Sequence, residues 1–141
     1  MKLPDTNVLL NAVQVASPFH PSAKRWMEEA FNGSEGVGLA WVVLLGFLRI
    51  STRSGILKEP LPMPDALAVV DSWLLHPNAR IVQPGELHSG ILGRLLLTGA
   101  GGSNLSTDAH LAALAIEHNA EVGTFDRDFK RFAGLRFELL A

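Results

Sequence analysis

The chain has 141 residues, of which 48% are hydrophobic and 18% are charged, and its formal net charge is −2. This composition excludes a disordered chain and predicts a single domain over residues 1–141 with a substantial core. Cysteine is absent, which excludes disulfides, thiolate nucleophiles and cysteine metal sites. The sequence contains no secretory signal and no apolar tract long enough to span a bilayer, so a soluble, cytoplasmic protein is expected. The charge gives no overall attraction to nucleic acid, although a bound cation or local basic groups can carry such a contact.

Short apolar segments alternate with amphipathic segments along the chain. Strands are predicted at the first residues up to Asp5 and at 37–40, 80–82, 121–124 and 136–139. Helices are predicted at 7–13, 22–31, 41–52, 65–75, 85–98 and 105–116, with a helical turn at 128–132 and a flexible glycine-rich segment at 99–104. This alternation predicts an α/β fold with a parallel sheet covered by helices on both faces. Three tryptophans on or beside apolar helix faces are expected in the core: Trp26, Trp41 and Trp73.

Three aspartates lie where predicted strands end or a helix begins: Asp5, Asp108 and Asp126. Considered alone, Asp108 has a simpler interpretation as a first-turn acid that suits the helix dipole. Ligands of open α/β sheets bind outside the carboxyl ends of the strands, so the three acids can meet there. Clustered carboxylates raise one another's pKa unless a cation joins them, and a site of oxygen ligands suits Mg²⁺ or Mn²⁺. Hydrolysis of a nucleic-acid backbone by metal-activated water is the chemistry that such a site predicts.

Three segments, in this order, resemble the signature segments of PIN-domain ribonucleases, and more narrowly of the VapC toxins of bacterial toxin–antitoxin pairs. They are residues 5–10, 104–115 and 124–129. The resemblance implies a Mg²⁺- or Mn²⁺-dependent endoribonuclease with a PIN-like three-layer sandwich, a central parallel sheet flanked by helices. It also implies a homodimer that acts on RNA and is silenced by a cognate VapB-like antitoxin covering the acidic cleft.

The resemblance assigns roles residue by residue. Asp5 and Asp108 match the metal-binding acids, Asp126 matches a further acid of the cluster, and Asp128 in the same segment is a possible contributor. Three polar residues are candidates to steady these carboxylates, with ordinary turn or capping roles as the alternative: Thr6, Asn7 and Thr124. Five basic residues are candidates for RNA or antitoxin contacts, with simple solvation as the alternative: Arg49, Arg53, Arg127, Lys130 and Arg131.

The sequence departs from the family pattern at Gly46. The family usually has a glutamate there, three positions before an arginine that Arg49 matches. Four explanations are open: Asp128 or water supplies the ligand, the site holds a single ion, activity is reduced, or the chain is a substituted variant. The alternative function is a catalytically weakened PIN-like module that binds RNA or protein. An aspartyl phosphatase would require a second acid where Asn7 stands.

His110 lies two positions after Asp108 and suggests a general base. At 3.6 residues per turn, however, a helix directs its side chain away from Asp108. His110 is therefore expected to be a surface or supporting residue.

Overall fold

The structure, a computed structural model, describes residues 1–55, 57, 59–99 and 105–141. Within these residues the strands are β1 (Lys2–Pro4), β2 (Val37–Leu39), β3 (Ala79–Ile81), β4 (Glu121–Thr124) and β5 (Arg136–Leu139). The helices are α1 (Thr6–Val13), α2 (His20–Asn32), α3 (Trp41–Ser51), α4 (Met63–Leu74), α5 (His88–Thr98) and α6 (Ser106–Glu117), followed by a 3₁₀ helix at Arg127–Arg131. The predicted flexible segment at 99–104 lies outside the described residues except for Gly99.

The five strands form one parallel sheet in the order β3-β2-β1-β4-β5. Strand β1 is central, and its Lys2 is in register with Val37 of β2 and with Glu121 of β4. The chain runs outward from β1 to β3 and then returns to place β4 on the other side of β1. The direction of winding therefore reverses between β1 and β4, which is where open α/β sheets bind their ligands.

The described helices pack in two groups. Helix α1 contacts α2 and α3, and α3 contacts α4, whereas α5 contacts α6. Because crossovers between parallel strands are right-handed, the reversal in winding puts the two groups on opposite faces of the sheet. The predicted parallel sheet flanked by helices is therefore confirmed. No helix among the described residues combines the length and the apolar character needed to cross a membrane.

The predicted elements are confirmed, with boundaries that differ by a few residues. Helices α2 and α4 begin two residues earlier than predicted, because each contains a proline in its first turn: Pro21 in α2 and Pro64 in α4. Proline is tolerated there because the first N–H groups of a helix have no intrahelical partner. A proline that resembles a break in the sequence is thus the start of each helix.

The predicted core position of Trp41 is wrong, because its side chain is 44% exposed. Helix α3 turns Val43, Leu44 and Phe47 into the core, and Trp41 and Leu45 lie on its outer side. Trp26 is buried as predicted. Trp73 is half-buried, and its ring lies edge-on to Phe47 with centroids 5.0 Å apart.

Candidate active site

A cleft of about 260 Å³ lies outside the carboxyl ends of β1 and β4. All three predicted acids, Asp5, Asp108 and Asp126, contribute to its wall. The other lining residues come from α1, α3 and α6 and their edges: Thr6, Asn7, Leu10, Val42, Val43, Arg49, Ile50, Thr107 and Leu111. Acids more than a hundred residues apart in sequence are therefore brought to one cleft by the strand order.

Asp5 directly follows β1 and is the N-cap of α1. Its Oδ1 accepts a hydrogen bond from the Thr6 backbone N–H at 2.8 Å, and its Oδ2 accepts from the Thr124 hydroxyl at 2.7 Å and from the Asn7 amide at 3.2 Å. The residue is only 9% exposed. Burial raises the pKa of the Asp5 carboxyl, and the charge of Asp126 adds to this, whereas the three hydrogen bonds oppose it. The carboxylate is held in one orientation.

Thr124 and Asn7 join Asp5 to the segment after β4. The buried Thr124 hydroxyl donates to Asp5 and accepts from the backbone N–H of Asp126 at 3.0 Å. Asn7 donates to Asp5 and accepts from the backbone N–H of Phe125 at 3.2 Å. The relative positions of Asp5 and Asp126 therefore depend on two side chains that bond to both segments.

Asp126 and Asp128 differ in how they face the cleft. Asp126 caps the 3₁₀ helix, since its Oδ1 accepts from the backbone N–H of Asp128 at 2.9 Å, and it also lines the cleft. Asp128 does not line the cleft. Its side chain is exposed and forms an ion pair with Arg131 at 3.3 Å. Of the two, Asp126 is the acid that the fold directs to the site.

Asp108 lies in the first turn of α6 and is half-buried. Burial, followed by the charges of Asp5 and Asp126, raises the pKa of Asp108 to about 6, although Arg131 opposes the shift. Carboxylates without a compensating cation repel each other and resist ionisation. The arrangement therefore has an electrostatic cost that a bound cation would remove.

The described residues contain no set of three or more acidic or histidine side chains already gathered to hold a metal ion. The chemistry of the donors nevertheless fits one, because the acids lining the cleft are hard oxygen ligands. Burial, together with the charges of Asp5 and Asp126, raises the pKa of Asp108 there. Mg²⁺ keeps several waters and needs only one or two direct carboxylates, so a preassembled cage is not required. The cleft suits a hydrated divalent cation.

The predicted basic contacts are spread around the cleft. Arg49 lines it, whereas Arg53 is exposed near the end of α3 and does not. Arg127 and Lys130 are exposed on the 3₁₀ helix beside Asp126. Arg131 binds Asp128 through its ion pair and donates from Nε to the Asp128 carbonyl at 3.0 Å. Of the five predicted basic residues, Arg49 is therefore the one that lines the cleft, whereas Arg131 acts on Asp108 through its charge.

Gly46 lies on the buried side of α3 and faces Thr6. A Cβ at this position would lie 2.9 Å from Thr6 Oγ1 and 3.1 Å from Thr6 Cγ2. The position where the family carries glutamate therefore points at the residue that follows Asp5. In this chain the Thr6 side chain occupies the space in front of Gly46.

Two ring pairs that do not line the cleft were not predicted from the sequence. His110 pairs with buried His88, with His88 Nε2 and His110 Nδ1 3.0 Å apart, in agreement with a supporting rather than a general-base position. Phe19 packs against Phe125 with ring centroids 5.1 Å apart. Each pair joins residues far apart in sequence, so no local pattern could have indicated it.

The PIN domain family matches residues 2–135. Among curated proteins, Ribonuclease VapC37 of Mycobacterium tuberculosis is 46% identical over 138 residues, which cover 98% of this chain and 96% of that protein. A solved structure of VapBC2 from Rickettsia felis, bound to a DNA fragment from their promoter, matches with a TM-score of 0.69 and 19% identity over 99% of this chain and 98% of its own. The structure of Mycobacterium tuberculosis VapC20, a sarcin–ricin loop cleaving toxin, matches with a TM-score of 0.68 and 18% identity over 96% of this chain and 99% of its own.

The fold, the cleft at the switch point and the family match agree, and the chain belongs to the PIN-domain family. Within that family, similarity over nearly the whole length places it among the VapC ribonucleases. The two solved structures support the fold at their low identity.

Proposed function

We propose that this chain is a toxin-type endoribonuclease that hydrolyses RNA phosphodiester bonds with the help of Mg²⁺ or Mn²⁺. The observation that carries the proposal is the meeting of Asp5, Asp108 and Asp126 at one cleft, where burial and the charges of the other two acids raise the pKa of Asp108 to about 6. The identity of 46% with a protein named as a ribonuclease supports RNA as the substrate.

Asp5, Asp108 and Asp126 would hold the cation, and Asp128 would contribute through its charge or through water. When bound, the ion supplies an activated water and neutralises charge that develops on the phosphodiester. Three residues orient Asp5 through hydrogen bonds to its carboxylate. Thr6 donates from its backbone N–H, and Asn7 and Thr124 donate from their side chains. Arg49, which lines the cleft, would bind a phosphate of the substrate. Apolar side chains in the cleft wall exclude bulk water from the cleft: Leu10, Val42, Val43, Ile50 and Leu111.

The decisive experiment compares the wild-type protein with Asp5→Asn in cleavage of labelled RNA, with Mn²⁺ and with chelator. Asparagine keeps the shape of the side chain but removes its charge, so the fold should persist while cleavage falls by more than about a hundredfold. Loss of groups that merely support metal ligands already costs roughly 10- to 100-fold. The melting temperature of the wild-type protein should rise with Mn²⁺, because a ligand that binds only the folded state stabilises it.

Asp71→Asn is the matched control, because Asp71 is an exposed acid on α4 that does not line the cleft. It should cleave and respond to Mn²⁺ as the wild-type protein does. Equal cleavage by folded Asp5→Asn and wild-type protein at matched metal concentration would overturn the proposed mechanism.

We also infer that a cognate VapB-like antitoxin silences the protein in the cytoplasm by covering the cleft, and that the chain forms a homodimer. The similarity in fold to a chain of the VapBC2 structure supports this proposed assembly. Light scattering should give a mass of twice 15.2 kDa. Added antitoxin should abolish cleavage, and a monomeric mass at assay concentration would contradict the dimer.

Gly46 favours one alternative, a weakened PIN-like module that binds RNA or protein without cutting it. Glycine has no side chain to offer and α3 contains no acidic residue, so the acid usual in the family has no counterpart on α3 here. Incubation of total RNA with concentrated protein discriminates the two functions. Identical RNA profiles with Mn²⁺ and with chelator would favour the binding module.

A further inference from the structure

Phe19 presents a fixed aromatic ring at the surface. It immediately precedes α2, and 47% of it is exposed. One side of its ring packs on Phe125, with centroids 5.1 Å apart and planes inclined by 51°. Phe125 is half-buried and packs against the core. The backing ring therefore leaves Phe19 supported on one side and open to solvent on another.

Hydrogen bonds hold the backbone around Phe19. Its own N–H donates to the Ser17 hydroxyl at 3.1 Å, and that hydroxyl donates to the Asn11 side chain at 2.6 Å. The next residue, His20, pairs through Nδ1 with the Asn11 carbonyl at 2.9 Å. Two of these contacts tie the turn to Asn11 of α1 and the third lies within the turn, so the exposed ring is presented in a defined position at little entropic cost to a ligand.

The ring pair is joined directly to the acid cluster. Phe125 lies between Thr124 and Asp126 in the chain, and its N–H donates to Asn7 Oδ1 at 3.2 Å. The same Asn7 amide donates to Asp5 Oδ2. Movement of Phe125 would therefore disturb the carboxylate that anchors the site. Neither ring lines the cleft, but Phe125 directly precedes Asp126, which does, so the aromatic pair adjoins the segment that carries this acid.

We propose that Phe19, backed by Phe125, is a stacking platform for a base of single-stranded RNA next to the scissile phosphate. The inference rests on the proposed function. Unpaired bases stack on exposed aromatic side chains, and neighbouring cations hold the flanking phosphates. Arg127 and Lys130 are exposed on the segment that follows Phe125 and supply that positive charge. Phe19 is thus a substrate-positioning residue rather than a catalytic one.

The first test measures binding of a fluorescent, short single-stranded RNA to protein that also carries Asp5→Asn, so that the RNA stays intact. Phe19→Ala and Phe19→Leu should each weaken binding by about fivefold or more, and Phe19→Trp should retain it, because stacking needs an aromatic face. Leu75→Ala is the control, since Leu75 is an exposed apolar residue at the end of α4. If the Phe19→Leu variant binds the RNA as tightly as the protein with phenylalanine at position 19, the stacking platform is refuted.

The second test uses RNAs in which each base in turn is removed to leave an abasic site. At one position, removal of the base should weaken binding to the protein that has phenylalanine at position 19 and should have little effect on binding to the Phe19→Ala variant. The reason is that both changes delete the same contact. Additive losses at every position would overturn the proposal. So would a Phe19→Ala protein that keeps full RNA affinity and loses affinity for the antitoxin, since the ring would then serve the protein partner.

Cleavage assays separate this inference from the proposed function. In protein with an intact Asp5, Phe19→Ala should raise KM more than it lowers kcat and should shift the preferred cleavage position. Absence of metal-dependent cleavage in the wild-type protein would refute the nuclease itself. Wild-type cleavage with unaltered KM, sites and RNA affinity in Phe19→Ala would refute the platform alone.

Discussion

Asp108 illustrates the conflict between stability and function at the scale of one residue. Its pKa in the folded chain is about 6, above the ordinary value of 3.8, because of burial and the charges of Asp5 and Asp126. A carboxyl whose pKa is raised by folding favours the folded state most at pH values below 3.8. That contribution is lost as the pH rises through about 6, where the side chain ionises in the cleft.

Asp108→Asn should therefore raise the melting temperature of the metal-free protein at about pH 8, because it removes a charge that is partly buried and is repelled by Asp5 and Asp126. The gain should shrink at about pH 5, where the wild-type carboxyl is largely protonated. Thermal unfolding in chelator at both pH values measures this. A larger gain at the lower pH would contradict a raised pKa of Asp108 in the folded protein.

Single residues also show what sequence could and could not predict of the site. Asp5 and Asp126 could be placed because each follows a recognisable strand, and the ends of parallel strands meet. The central position of Thr124 could not, because a threonine at a strand end has many ordinary roles. Its importance comes from a hydroxyl that is buried between Asp5 and the Asp126 backbone, which depends on the register of β1 and β4.

At the scale of elements, the contact of α3 with α1 depends on Gly46. Alanine at a helix interior is favoured over glycine by about 1 kcal/mol. A Cβ at position 46, however, would lie 2.9 Å from Thr6 Oγ1, and the branched threonine side chain has few ways to move aside. Steric conflict should outweigh propensity in the wild-type background.

We therefore expect Gly46→Ala to lower the free energy of unfolding by about 1 kcal/mol, within the range usual for overpacked contacts. In a Thr6→Ala background the same change should raise it, because the hydroxyl and methyl groups are gone and the helix preference remains. Urea denaturation of the four proteins gives the comparison. Equal effects in the two backgrounds would show that Thr6 does not limit this position.

Elements were predicted better than the faces they present. Periodicity placed every described strand and helix, since burial of one face imposes a regular spacing of apolar residues. It placed Trp41 in the core because α3 is apolar on nearly all sides, and such a helix does not reveal which side meets the sheet. Leu45 is 58% exposed one turn later and confirms that the outer face is apolar too.

At the scale of the whole molecule, the alternation of strands and helices predicted the parallel sheet, but it did not predict the strand order. The order β3-β2-β1-β4-β5 decides that the segments after β1 and β4 are neighbours. Contacts between distant segments, such as Phe19 with Phe125 and His88 with His110, follow from that order and from helix packing. They carry no signature in either local sequence, so only the structure reveals them.

The central position of β1 has a consequence for how the protein is made. Asp5 reaches its partner Thr124 across 119 positions of sequence, and β1 lacks one neighbour until β4 has been synthesised. A nascent chain emerging from a ribosome therefore carries the first acid long before the others exist to join it. The cleft therefore assembles only after β4 and the segment that follows it have been made and have paired with β1.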